Sequence, residues 1–117
     1  MAACWGVLSI LPGTPYASDN YRWFLERYES FLYVDRIVLS PEARGQGIGR
    51  QLYLDLVSWG RGRVSRVTCE VNRRPSNPGS VLFHERMGFV VVGVHETGNG
   101  SKEVQLMSRE LSCGVVP

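Results

Sequence analysis

Between Leu39 and Arg50 the chain passes from a β-branched, apolar run through Ser40-Pro41 into Gly45, Gly47 and Gly49, and only then do apolar residues recur at helical spacing. A strand that stops at proline and a helix that opens on glycines define a tight strand-to-helix turn. Lacking Cβ, these glycines reach positive φ and let a ligand approach the N–H groups that a first helical turn leaves unpaired. The helix dipole reinforces those donors, so the position favours an anion, typically a phosphate. Two familiar phosphate loops are excluded by spacing. A dinucleotide fingerprint counted from Gly45 and Gly47 needs glycine where Arg50 stands, and the Gly-Lys-Ser/Thr ending of a Walker loop is absent. The plain alternative is a glycine-rich turn that binds nothing.

Around this turn the chain reads as short elements. Trp5 to Leu11 is expected as a strand ended by Pro12-Gly13, and Ser18 as the N-cap of a short helix to about Tyr28. Phe31 to Leu39 is the next strand, rich in β-branched and aromatic residues. Ile48, Leu52, Leu56 and Trp59 predict a helix from about Gly47 that stops at Gly60. Val64 to Val71 reads as a strand and Pro75 to Gly79 as a loop. Ser80 is expected to cap a helix ending at Gly88, followed by paired strands Phe89 to His95 and Glu103 to Leu111 about Gly98-Asn99-Gly100. Alternation of this kind argues for an α/β fold, a mixed sheet with helices on its faces.

The 117 residues suffice for one domain, with 44% hydrophobic and 21% charged residues, which excludes a disordered chain, collagen or a coiled coil. No apolar run approaches the ~20 residues of a membrane-spanning helix. The N-terminal apolar stretch has no basic residue before it and no small-residue cleavage site after it, so a cytoplasmic protein without a signal peptide is expected. Cys4, Cys69 and Cys113 follow no metal-ligand spacing; unpaired thiols and no metal are expected. A net charge of +2 does not imply a polyanion partner, although Arg61, Arg63, Arg66, Arg73 and Arg74 gather in one stretch.

Arg44-x-x-Gly47-x-Gly49, preceded by Ile37-x-Leu39-x-Pro41, resembles the acyl-CoA-binding signature of the GNAT superfamily of N-acyltransferases. Downstream, Asn77-x-x-Ser80-x-x-x-His84-Glu85-Arg86-Met87-Gly88-Phe89 is similar to the same family's Asn-x-x-Ala-x-x-x-Tyr-Glu-Lys-Leu-Gly-Phe segment, at the same spacing. The resemblance covers Trp5 to Leu111. It is closest to bacterial acetyltransferases of the family that carry an aromatic segment like Tyr21-Arg22-Trp23-Phe24 ahead of the Val34-Asp35-Arg36-Ile37-Val38 strand. The resemblance implies acetyl-CoA as co-substrate, lying in a V-shaped opening between the strands that end near Leu39 and Asn72. Backbone groups of Ile37, Val38 and Leu39 would bond the pantetheine arm, and Arg44, Gly45, Gln46, Gly47, Ile48, Gly49 and Arg50 would hold the pyrophosphate. Asn77 and Ser80 would contact the pantetheine or shape its loop; a turn asparagine before Pro78 is the alternative for Asn77. The arginine cluster would touch the 3′-phosphate or form a solvated face.

Where the family commonly has the tyrosine that protonates the leaving thiolate, this chain has His84. Imidazole, with a reference pKa of ~6.5, can do that work in its charged form; facing solvent or packing near Phe83 is the alternative. An amine nucleophile must lose a proton, and Asp35 and Glu70, carboxylates within apolar strands, are the candidate bases. Each would otherwise pair with an arginine such as Arg36, Arg66 or Arg86. Cys69 suggests an acyl-cysteine, against a buried structural thiol. Tyr21, Trp23, Phe24 and Tyr28 line either an acceptor pocket or the core.

The chain begins at what resembles a later strand of the family, so the fold is expected to be N-terminally shortened, lacking the first strand and two helices. An exposed strand edge at Trp5 to Leu11 then invites a homodimer with Trp5, Tyr21 and Trp23 as contacts. The reading is an N-acetyltransferase acting on a small-molecule or peptide amine by direct attack in a ternary complex. Its rivals are a CoA-binding regulatory module without catalysis and a nucleic-acid-binding domain using the arginines.

Overall fold

The elements alternate as the sequence pattern predicts: β1 (Trp5–Ile10), α1 (Asp19–Leu25), β2 (Leu32–Leu39), α2 (Ile48–Gly60), β3 (Arg66–Arg74), α3 (Pro78–Arg86), β4 (Val90–Thr97) and β5 (Lys102–Glu110). The computed structural model describes residues 5–10, 19–39, 47–74, 78–97 and 102–111, with side chains at 19–35, 47–73, 78–96 and 102–111. The strands form one mixed sheet in the order β1-β2-β3-β5-β4. β1 runs antiparallel to β2, β5 antiparallel to both β3 and β4, and only β2 and β3 are parallel.

That parallel pair is short. Leu32 pairs with Val67 and Tyr33 with Thr68, and no later ladder joins the two strands, although β2 continues to Leu39 and β3 to Arg74. Each strand remains paired on its far side, β2 with β1 and β3 with β5. Beyond Tyr33 and Thr68 the strands part, and the inner edge of β2 has no strand partner among the described residues.

Side chains alternate across a strand, so the two faces carry separate cores. On one face α1 buries Tyr21 and Phe24 against Phe31, Tyr33, Val104 and Leu106. On the other, Tyr53 and Val57 of α2 join Val34, Val67, Cys69, Val71, Met87, Phe89, Met107 and Leu111. The aromatic helix is therefore core at Tyr21 and Phe24, both fully buried. Tyr21 cannot serve as the dimer contact expected of it, because its ring is enclosed by Phe31 and Tyr33 at 5.9 and 5.5 Å.

One helix expectation holds and one is corrected. The helix expected from the spacing of Ile48, Leu52, Leu56 and Trp59 is present, and its most buried residues are Tyr53, Val57 and Gly60, with Leu56 packed partly buried against the same core. Trp59 is 42% exposed, under the Arg63 guanidinium at 4.9 Å. A Cβ on Gly60 would lie 2.8 Å from Leu111 Cδ1. Helix α3 starts at Pro78 rather than Ser80; proline suits a first helical position, where its missing N–H would have been unpaired anyway. Ser80 lies within the helix.

Candidate active site

Glu70 lies on β3 just beyond the last parallel pair, at the point where β2 and β3 separate. Strand parity puts it, with Thr68, on the α1 face, and puts Tyr33 and Asp35 of β2 on that same face. The Tyr33 hydroxyl donates to both carboxylate oxygens, at 2.8 Å to Oε1 and 2.7 Å to Oε2. Asn20 in the first turn of α1 supplies a second side-chain hydrogen bond. Burial pushes the Glu70 pKa up to about 7, against the lowering effect of the Tyr33 and Asn20 donors, and the charge of Asp35 raises it further. The described partners of Glu70 are thus neutral donors, not the arginines expected as its alternative. Asp35 is half-buried beside it.

His84 lies on the other face. It is 9% exposed, within rings of Tyr53, Phe83 and Phe89 whose centroids are 5.2 to 5.6 Å away. Its Nδ1 is 2.7 Å from the Ser80 carbonyl oxygen and its Nε2 is 2.7 Å from the Tyr53 hydroxyl. A carbonyl only accepts, so Nδ1 carries the hydrogen and Nε2 accepts from Tyr53. Burial lowers the His84 pKa, favouring this neutral ring. In this neutral state both ring nitrogens are engaged, Nδ1 by the Ser80 carbonyl and Nε2 by the Tyr53 hydroxyl. Packing near Phe83 is what the chain adopts.

Cys69 completes that buried line. Its thiol hydrogen-bonds to Tyr53, and burial pushes its pKa well up, with the Glu70 charge adding to the rise. A thiol held protonated is a poor nucleophile, so the acyl-cysteine reading is set aside. Tyr53 is likewise held protonated by burial.

At the start of α2, Gly47 has φ 75°, no side chain caps the helix, and its first turn has no acidic residue. Among the described residues no side chain caps this helix start, which carries the positive end of the helix dipole. Gly49 and Ile48 are half-buried in this first turn and Arg50 is exposed. Arg44, Gly45, Gln46 and Asn77 lie outside the described residues, and of Ile37, Val38 and Leu39 only the strand pairing with β1 is described. Ser80 reaches the site through its carbonyl on His84.

Three arginines of the cluster have partners within the domain. Arg66 lies over the Tyr28 ring at 3.9 Å, Arg73 pairs with Glu103 at 3.2 Å and Arg63 covers Trp59. A depression of about 250 Å³ bounded by Asn72, Pro78, Val81, Glu85 and Gln105 holds none of Asp35, Glu70 or His84. Among the described residues no group of three acidic, histidine or cysteine side chains converges as metal ligands, and no helix is long and apolar enough to cross a membrane.

The sequence pattern pointed to Glu70 and His84 but missed Tyr33, Asn20 and Tyr53. The parity of β2 and β3 was the available signal for Tyr33, since it shares a face with Asp35 and pairs two residues ahead of Glu70. Nothing local marks Asn20 or Tyr53.

The model of the acetyltransferase (GNAT) family matches residues 8–89. The chain belongs to that family. Over 76 residues it is 32% identical to the peptidyl-lysine N-acetyltransferase YjaB of Salmonella typhimurium, covering 65% of this chain and 48% of the relative. A crystal structure of nourseothricin acetyltransferase superimposes with a TM-score of 0.60 at 28% identity, covering 69% of this chain and 50% of that one. Chaetomium thermophilum Naa20 in complex with a bisubstrate analogue gives a TM-score of 0.71 at 22% identity, over 95% of this chain and 61% of that one, a likeness of fold. The chain spans about half the length of the curated relative it matches. The mixed sheet flanked by helices is the GNAT fold of these neighbours.

Proposed function

We propose that this domain transfers an acetyl group from acetyl-CoA to a primary amine by direct attack in a ternary complex, with Glu70 accepting the amine proton. The observation that carries the reading is the parting of β2 and β3 immediately beside a half-buried carboxylate held by two neutral donors. An extended pantetheine arm fits the unpaired inner edge of β2, where Val38 and its neighbours offer backbone groups. The start of α2 at Gly47, with no side-chain cap among the described residues, suits the pyrophosphate.

An amine is protonated in water at neutral pH and must shed a proton to become nucleophilic. Glu70, with a pKa near 7, is ionised in part at that pH and is a stronger base than an ordinary carboxylate. The freed lone pair attacks the thioester carbonyl carbon, the tetrahedral adduct collapses with cleavage of the C–S bond, and the proton that the nitrogen sheds in becoming an amide balances the one the departing thiolate takes up. Asp35, near Glu70 on the same face, adds negative charge that attracts a cationic acceptor. His84 has the geometry of a lock between α3 and α2 rather than of the donor. The acceptor is a small-molecule or peptide amine; the lysine-directed relative makes peptides the first class to try. Pairing of two copies through the β1 edge also belongs to this reading.

Release of free CoA thiol over a panel of amines tests the activity, and Glu70→Gln tests the base. Acetyl-CoA binding without CoA release from any amine would replace this reading with that of a regulatory CoA-binding module. Retained turnover in Glu70→Gln would remove Glu70 from the mechanism.

A further inference from the structure

Glu70 is held by a clamp from two other elements. The Tyr33 ring is fully buried, packed against Tyr21 at 5.5 Å and Phe24 at 5.9 Å, so its hydroxyl is fixed in space by α1. That hydroxyl meets both carboxylate oxygens within 0.1 Å of the same distance, which sets the plane and direction of the carboxylate. Asn20, also on α1, bonds the same group, and its own Oδ1 is buried with no hydrogen-bond partner among the described residues. A buried acceptor left bare is costly. The amide is therefore held with its N–H side toward Glu70 despite that cost, which is the arrangement expected where the carboxylate rather than the local fold determines the side chain.

We propose that Tyr33 and Asn20 are positioning residues for Glu70, two neutral donors that aim its carboxylate into the opening between β2 and β3 and keep it in the ionised, proton-accepting form. The inference rests on Glu70 as base. Both donors favour the ionised form against the burial that opposes it. The titratable groups about Glu70 are Tyr33 and Asp35 of β2, Cys69 before it on β3 and Tyr53 of α2; β5 places Leu106 opposite it. Of these Asp35 alone is a second carboxylate, and it works against ionisation, so the two donors are what offset burial. The clamp also gives α1 a part in catalysis: its aromatic face packs the core, and its first turn sets the base.

The test measures kcat/KM against pH for the parent, Tyr33→Phe, Asn20→Ala and Glu70→Gln, with acetyl-CoA affinity by calorimetry and Glu70 titration by carboxyl 13C NMR. Tyr33→Phe is expected to move the acidic limb and the NMR titration upward by about one pH unit or more, with activity recovering toward the parent value at high pH and acetyl-CoA affinity unchanged. Asn20→Ala, close to the start of α1, should move both in the same direction and covers the case in which Tyr33→Phe does not fold. Unmoved limbs and titrations, or a loss of equal size at every pH, would overturn the inference while leaving the base intact. Full activity in Glu70→Gln would overturn the base itself, which the NMR titration distinguishes because it needs no turnover.

Discussion

The Tyr53 hydroxyl donates to His84 Nε2 at 2.7 Å, and this single bond ties α2 to α3 through the interior of the domain. The ring's other nitrogen is bonded to the Ser80 carbonyl one helical turn earlier. Helix α2 packs on β2 and β3 and helix α3 on β3, so the bond joins the two helices on one face of the sheet. Tyr53→Phe leaves a buried Nε2 without a donor, and an expected loss of about 1–3 kcal/mol should appear in chemical denaturation. Unchanged stability would mean that the pair contributes no net attachment between the helices.

The neutral state of His84 has a pH signature. Its folded pKa is depressed by burial, so the unfolded chain takes up the proton first, and stability is lost as pH falls through the ordinary value of 6.5 toward the folded one. His84→Phe lacks this dependence. The difference in Tm between parent and variant is expected to narrow between pH 7.5 and pH 5; a widening gap would show that the charged ring is the stabilised form.

Glu70 works in the opposite sense for stability and in a useful sense for rate. With a folded pKa of about 7 it retains a proton that the unfolded chain releases near 4.5, so its contribution to stability is present at low pH and is lost as pH rises through 7. For proton acceptance the ionised form is required. At saturating acetyl-CoA, kcat/KM should rise about tenfold per pH unit below 7 and bend near it, on top of any limb set by the amine itself. A bend near pH 4.5 would mean that burial does not act on this carboxylate.

Close packing of α1 on β4 gives a test independent of chemistry. A Cβ on Gly93 would collide with Trp23 Cζ2 and stand 2.8 Å from Cη2. Gly93→Ala is expected to cost about 1–3 kcal/mol, by overpacking. Trp23→Phe removes the atoms concerned, so Gly93→Ala should cost much less in that background. Equal cost in both backgrounds would place the strain elsewhere.

The order of strands and helices was legible because each element is short and punctuated: Pro12-Gly13, Ser40-Pro41, Gly60 and Gly88 mark the breaks. The acyl-CoA motif and the family that it indicates were legible for the same reason, since they depend on spacing along one stretch of chain. What was not legible is decided across the sheet. Helix α2 turns Tyr53 inward rather than Leu52 because a histidine on another helix can accept its hydroxyl bond, and His84 sits inside because Tyr53, Phe83 and Phe89 surround it. Asn20 and Glu70 are fifty positions apart. Their meeting depends on α1 lying across β3, which no local period records.

The last expectation concerns the turn that most constrains the chain. Gly47 has φ 75°, in the left-handed region, while a Cβ placed on it would meet nothing within 4 Å. Backbone strain and charge can therefore be separated at this one position. Gly47→Ala adds only the conformational cost of a side chain at positive φ, about 1–2 kcal/mol, and should lower Tm with little change in acetyl-CoA affinity. Gly47→Asn, which tolerates that conformation better, should do less. Gly47→Glu carries a similar strain and also places a carboxylate at the start of α2, where a pyrophosphate would bring further negative charge. Its acetyl-CoA affinity should fall at least about tenfold below that of Gly47→Ala, and the gap should shrink as salt screens the repulsion. Calorimetry giving equal affinities for folded Gly47→Ala and Gly47→Glu would remove the phosphate from this helix start and, with it, the orientation of the co-substrate along the opening.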